Sequence, residues 1–208
     1  MKIGVIQASS QASRNQILYE LTRESAIPNE VVNFGCFEGE KEIYSYVEIA
    51  VEIGLLLASK AVDFMVTGCS SGQGMMLACN SMPDVLCGYA PTPQDAFLFG
   101  RINAGNAISV PLGLNYGWSG ELNLRYTLAA LFEQPFGTGY PPEDAPRKLH
   151  DTRLLKSIQS QAKIPMTSLL DGLDEALCAK ILSRQNVVGY ILNHGTEQEI
   201  LRWIRSQR

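Results

Sequence analysis

The sequence predicts an α/β fold: a doubly wound, three-layer arrangement around a five-stranded parallel sheet in the order 2-1-3-4-5, followed by a helical C-terminal extension. Three observations predict it. Short apolar runs alternate with longer stretches of helical periodicity from residue 2 to residue 132, the pattern of repeated strand–helix units. The strand runs are continuously apolar, as strands covered on both faces are. The 208 residues are 46% hydrophobic and 18% charged, which supplies a sizeable core and carries no signature of disorder.

Taken in order, residues 2–6 read as the first strand, and 13–24 as a helix with Ile17, Leu18 and Leu21 on one face. Pro28 and Asn29 mark a turn before a second strand at 31–34. A long helix follows at 43–61, with Val47, Ala50, Val51, Gly54, Leu57 and Ala61 in one stripe. The third strand, 62–67, runs into the loop Gly68-Cys69-Ser70-Ser71-Gly72-Gln73-Gly74 and a short helix at 74–82, which Pro83 stops. Strand four spans 85–89, and the next helix 92–103, with Pro93 in its first turn. Strand five spans 107–110, before a helix at 121–132. Pro135, Gly137, Gly139, Pro141, Pro142 and Pro146 then make a connector. Beyond it lie a basic patch (Arg147, Lys148, His150, Arg153) and a helix at 154–162. Two further helices are expected at 166–183 and 196–206, with 186–192 between them. We divide the chain into a Rossmann-like domain, 1–150, and a mainly helical extension, 151–208.

A net charge of −4 argues against nucleic acid as a partner, since no basic surplus exists to displace phosphate counterions. No apolar run is long enough to cross a bilayer, and residues 1–7 lack the pattern of a signal peptide. The five cysteines are scattered, without a C-x-x-C pair, which fits a reducing cytoplasm. No cluster of histidines and carboxylates suggests a metal.

In the order 2-1-3-4-5 a crevice opens between strands one and three. It is flanked by the loop Ala8-Ser9-Ser10-Gln11-Ala12 and by the Cys69 loop, both rich in hydroxyls and small side chains. Aligned amides at a helix N-terminus favour a thiolate, so a cysteine placed there is a usable base or nucleophile. The plainer reading, favoured for Cys69 taken alone, is a small packed side chain. Ser70, Ser71, Gly72, Gln73 and Gly74 could cradle an oxyanion with hydroxyls and amides. Their plainer reading is a strand-to-helix turn with a serine cap. The loop is neither a Walker loop nor a dinucleotide fingerprint. Arg147 and Arg153 are forked donors suited to phosphate, or else a solvated charge cluster. His150 sits among them, and His194 reads as a turn residue.

Together these features resemble the ribose-5-phosphate isomerase B and galactose-6-phosphate isomerase family over roughly residues 1–158. The resemblance is carried by Val32-Asn33-Phe34-Gly35, Cys69-Ser70-Ser71-Gly72-Gln73-Gly74, Ala78-Cys79-Asn80, Asn103, Asn106 and the segment from Arg147 to Arg153. It implies an aldose–ketose isomerisation of a sugar phosphate without metal or cofactor. In that scheme Cys69 is the base, and Ser71 with the loop amides stabilises an enediolate. Ser9, Ser70, Gly72, Gln73, Gly74, Asn103, Arg147, His150 and Arg153 are the implied substrate contacts. The resemblance also implies a homodimer or homotetramer with sites shared between subunits. Three departures stand out: Ala8-Ser9 where the family has Asp-His, Ile102-Asn103-Ala104 where it has His-Asn-Asp, and no arginine in Pro111-Leu112-Gly113. A substrate that is already open-chain, or a different phosphorylated sugar, needs no ring-opening histidine. The alternative from another class is a catalytically silent sugar-phosphate-binding protein on the same fold. A thiol redox protein ranks lower, because no resolving cysteine lies close in sequence.

Overall fold

The computed structural model describes residues 1–207. Its centre is a five-stranded parallel sheet built from β1 (Lys2–Ile6), β2 (Glu30–Gly35), β3 (Phe64–Cys69), β4 (Cys87–Tyr89) and β5 (Ala107–Pro111). One face is covered by α1 (Asn15–Ser25), α4 (Pro93–Leu98) and α5 (Gly120–Phe132), whose Leu18, Leu21, Ala96, Leu124 and Leu128 are buried with Ile3, Val5 and Val66. The other face carries α2 (Tyr46–Ala58) and α3 (Gln73–Ser81). The expected doubly wound, parallel three-layer class is what the chain forms.

The strand order is β2-β1-β3-β5-β4, so the last two strands sit in the reverse of the expected order. Length explains the exchange. β5 pairs with β3 along five residues, from Met65↔Ala107 to Cys69↔Pro111, whereas β4 has only three residues to offer. The short strand therefore takes the edge, where few unpaired backbone groups are exposed. Two asparagines hold it there. The Asn80 side chain accepts from the Cys87 N–H (2.9 Å) and donates to the Cys87 carbonyl (2.8 Å). Asn106 accepts from the Leu86 N–H (2.8 Å) and donates to the Asp84 carbonyl (2.7 Å). The exchange leaves the crevice between β1 and β3 untouched, because both its flanking strands keep their places.

The C-terminal part is entirely helical: α6 (Ala145–Ala162), α7 (Met166–Asp171), α8 (Glu175–Ser183), α9 (Gln185–His194) and α10 (Gln198–Ser206). α6 runs unbroken through residue 150 and carries Arg147, His150 and Arg153 on its turns. The helix expected at 166–183 is two helices, broken at Gly172 and restarted by Asp174, whose carboxylate accepts from the Ala176 and Leu177 N–H groups. α9 occupies the stretch read as a connection.

These helices change the status of α2. A single apolar stripe was expected, yet Ile49, Ala50, Val51, Glu52, Ile53, Gly54, Leu55 and Leu56 are all buried. Met166, Leu170, Ile181, Val187, Val188, Ile191 and Ile204 of the extension share a core with them. α2 is apolar almost all round because it is sandwiched between the sheet and the extension. Among the described residues no helix is long and apolar enough to cross a membrane.

Candidate functional site

Cys69 is the last residue of β3, and its side chain shares a core with Met65 and with α2 and α3. It is buried, 8% exposed, at the carboxyl end of the sheet. The chain then turns through Ser70 and Ser71 to Gly72, which caps α3 in a left-handed conformation (φ 76°). A Cβ on Gly72 would lie 2.8 Å from the Tyr89 ring and 2.9 Å from the Val110 carbonyl carbon, so both conformation and space call for glycine.

The carbonyls around this turn are taken up from neighbouring strands and loops. Gly68 accepts from the Ala8 N–H, Cys69 from Leu112, and Ser70 from both Gly113 and Leu114. Ser109 donates its hydroxyl to the Gly72 carbonyl at 2.7 Å. With its carbonyls held behind, the turn offers N–H groups in front, together with the first-turn amides of α3 that have no intrahelical partner. The Ser71 hydroxyl accepts from the Gln73 N–H at 3.3 Å and keeps its own hydrogen to donate.

The β1 loop closes the near side. Gln11 donates its side-chain amide to the Ser70 hydroxyl at 2.9 Å, bridging the crevice. Ser9 is engaged elsewhere: its hydroxyl accepts from the Tyr44 N–H at 2.8 Å, and its own N–H donates to the Tyr44 carbonyl at 3.0 Å. Tyr46 forms a further wall, with its ring 3.4 Å from where a Cβ on Gly74 would stand. The fold thus brings Gln11 onto the turn Cys69-Ser70-Ser71-Gly72-Gln73-Gly74, while Ser9, in the same β1 loop, is turned to Tyr44. Gln11, Tyr46 and Ser109 were not singled out from sequence. Of these only Ser109 left a signal, as a hydroxyl inside an apolar central strand.

Asn103, Arg147, His150 and Arg153 lie elsewhere. Asn103 ends the turn of π-helix, Phe99–Asn103, that continues α4. It lines a cavity with Gly88, Tyr89 and Leu98 along the outer edge of β4. Two strands separate that edge from β3, roughly 10 Å at ordinary strand spacing. α6 is fastened to the same region, since Thr152 donates to the Ile102 carbonyl (2.8 Å) and Lys156 to the Ala104 carbonyl (2.7 Å). Arg147 is paired with Asp144 (3.2 Å) and Asp151 (3.3 Å). His150 and Arg153 are exposed. One chain therefore groups the expected residues in two places: the Cys69 loop, and Asn103 with α6. Among the described residues no group of three His, Cys, Asp or Glu side chains could hold a metal ion.

The family model described as Ribose/Galactose Isomerase matches residues 3–119. Among solved structures, a 4-deoxy-L-threo-5-hexosulose-uronate ketol-isomerase complexed with a tartrate is 38% identical, covers 99% of this chain and 98% of its own, and superposes with a TM-score of 0.94. A ribose-5-phosphate isomerase from Vibrio parahaemolyticus is 33% identical over 100% of this chain and 99% of its own, also with a TM-score of 0.94. Type B ribose 5-phosphate isomerase from Trypanosoma cruzi, at 20% identity and a TM-score of 0.64 over 77% of this chain and 99% of its own, shares the fold. No curated protein matches the sequence.

Proposed function

The chain belongs to the Ribose/Galactose Isomerase family, and from that premise we propose that it is a cofactor-independent aldose–ketose isomerase acting on an open-chain sugar with an anionic group. The observation that carries this reading is the Cys69 turn: a thiol at the strand end before a hydroxyl, in a turn whose Gly68, Cys69, Ser70 and Gly72 carbonyls are held from behind. In the reaction, the Cys69 thiolate takes the proton from the carbon beside the carbonyl. The C–H electron pair becomes the enediolate double bond, and the carbonyl oxygen takes up negative charge. The amides of residues 70–74 and the Ser71 hydroxyl stabilise that charge. The thiol then returns its proton to the former carbonyl carbon, the hydroxyl proton of the adjacent carbon passes to the enediolate oxygen, and the carbonyl is re-formed one position along.

The anionic group is a phosphate or a carboxylate. Phosphate follows the resemblance and the relative from Vibrio parahaemolyticus. Carboxylate is favoured by the relative named for a hexosulose uronate, and by the absent ring-opening histidine, which an open-chain substrate does not need. The separation of Asn103 and α6 from Cys69 supports a homodimer or homotetramer in which a second copy brings those residues to the crevice. Leu114, Trp118 (97% exposed), Leu122 and Tyr126 offer apolar surface for it. Five free cysteines, with no disulfide among them, support a reducing, cytoplasmic setting.

Proton exchange in deuterated water tests the assignment. Presented with pentose and hexose phosphates and with open-chain hexuronates, the protein should incorporate deuterium beside the carbonyl of one class. Cys69→Ala should lower that rate by about 10²-fold or more. Saturable binding without exchange for every sugar would establish the silent binding protein instead.

A further inference from the structure

The C-terminal helices reach the wall of the Cys69 crevice through two cations. Lys180, on α8, donates to the Ile43 carbonyl and to the Glu48 carboxylate, both at 2.7 Å. Arg184, between α8 and α9, donates to Glu52 and to the Phe34 carbonyl, both at 2.9 Å. It also lies 3.5 Å from Cys36 Sγ and from Glu40 Oε2, and its guanidinium stands 4.3 Å over the Tyr44 ring. The side chains of Arg184 and Glu52 are 4% and 0% exposed, so this is an interior clasp and not a surface ion pair.

What the clasp holds is the back of the candidate site. Tyr44, whose ring lies under Arg184, makes both backbone contacts to Ser9. Two residues on, Tyr46 packs on Gly74 in the first turn of α3. One short stretch of chain thus connects Arg184 on one side with the Cys69 loop on the other.

We propose that Arg184 is a positioning residue for the candidate site: by fixing segment 34–44 from behind, it sets Ser9 and Tyr46 against the Cys69 loop. The C-terminal helices are then part of the site's support. Charge on the clasp changes near neutral pH. Burial pushes the Glu52 carboxyl up to about 7 against the pull of Arg184, and Glu40 and Glu48 add to the rise. Glu52 therefore gains its charge as pH climbs toward 8, and because the folded chain penalises that buried charge, the clasp opens more readily as pH rises from about 4.5 to about 7. The groups facing it are Arg184 from the extension, Glu40 and Tyr44 from the loop, and Glu48 from α2 itself.

The kinetic consequence rests on the isomerase reading, but the placement does not, so the deciding measurement needs no substrate. Amide hydrogen exchange on the full chain is followed in peptides covering 8–11 and 42–48, with α5 on the opposite face of the sheet as reference. Arg184→Lys and Arg184→Met should each speed exchange in those two peptides by about tenfold, while α5 changes by less than about twofold. In the native protein, exchange at 42–48, corrected for its intrinsic pH dependence, should quicken between pH 5 and 7. Glu52→Gln should abolish that change. For the sugar that is turned over, Arg184→Lys should raise KM by about tenfold and leave kcat within about threefold. Unaltered exchange at 8–11 and 42–48 in Arg184→Lys, or an equal rise in α5, overturns the proposal whether or not any sugar is isomerised.

Discussion

At the residue scale, two positions separate what the sequence displayed from what it concealed. Gly72 was legible: a glycine after two serines, between an apolar run and a helix, marks a tight turn on local chemistry alone. Gly72→Ala should lower stability by about 1–3 kcal/mol, because alanine must hold a left-handed φ and meet the Tyr89 ring. Urea unfolding should show a lower midpoint with an unchanged slope. Glu52 was not legible. Its partner Arg184 lies 132 residues away, and no local pattern relates them. Burial raises the Glu52 carboxyl from 4.5 to about 7, so the folded chain holds that proton more firmly than the unfolded chain. The charged form is what folding penalises. Glu52 alone therefore detracts from stability increasingly as pH rises from about 4.5 to about 7, by at most about 3 kcal/mol. Glu52→Gln should flatten that part of the stability–pH curve, measured by urea unfolding at pH 5, 6, 7 and 8. A mutant curve as steep as that of the native protein contradicts the assigned burial penalty.

At the element scale, existence was easier to read than extent. The strands were found because continuous apolar runs of that length have few other uses. Two helices and one strand pairing differ from the expectation, each for its own physical reason. α2 looked amphipathic because Val47 and Leu57 complete a stripe, but its burial is decided by α7 to α10, which arrive more than 100 residues later. The 166–183 stretch hid a break because Gly172 is tolerated within helical periodicity until Asp174 offers a new cap. The strand exchange was hidden because the sequence shows strand lengths only to within a residue or two, and the difference between three and five residues placed β5 beside β3. The start of α2 makes a clear test of local chemistry. Ser45 accepts from the Glu48 N–H at 3.2 Å, and the Glu48 carboxylate accepts from the Ser45 N–H at 2.6 Å, a complete capping box. Ser45→Ala should cost about 1 kcal/mol, read as a lower midpoint in thermal or urea unfolding. Since Glu48 also receives Lys180, the loss should exceed that of Asp174→Ala, an equivalent cap that holds only its own helix.

At the scale of the whole molecule, the expected residues fall into two groups that one chain holds apart. Composition and periodicity predicted the layered fold, and the Cys69 turn predicted half of a site. The other half, Asn103 from resemblance and Arg147, His150 and Arg153 from the basic patch as well, stands in one chain at the far edge of the sheet. If two copies associate so that α6 of one faces the Cys69 turn of the other, each complete site draws on both chains. A mixing experiment then has a definite outcome. Cys69→Ala disables the turn, and Arg153→Ala weakens the α6 side, so each variant alone should be strongly impaired. Refolded together in equal amounts, half of the resulting dimers carry both variants. Each of these has one site with two damaged halves and one with none, so activity should recover to about a quarter of the native level. No recovery, with mixed dimers demonstrated by mass, would place every catalytic contact within a single chain. Arg153 and its neighbours on α6 would then be the solvated charge cluster that their exposure also permits.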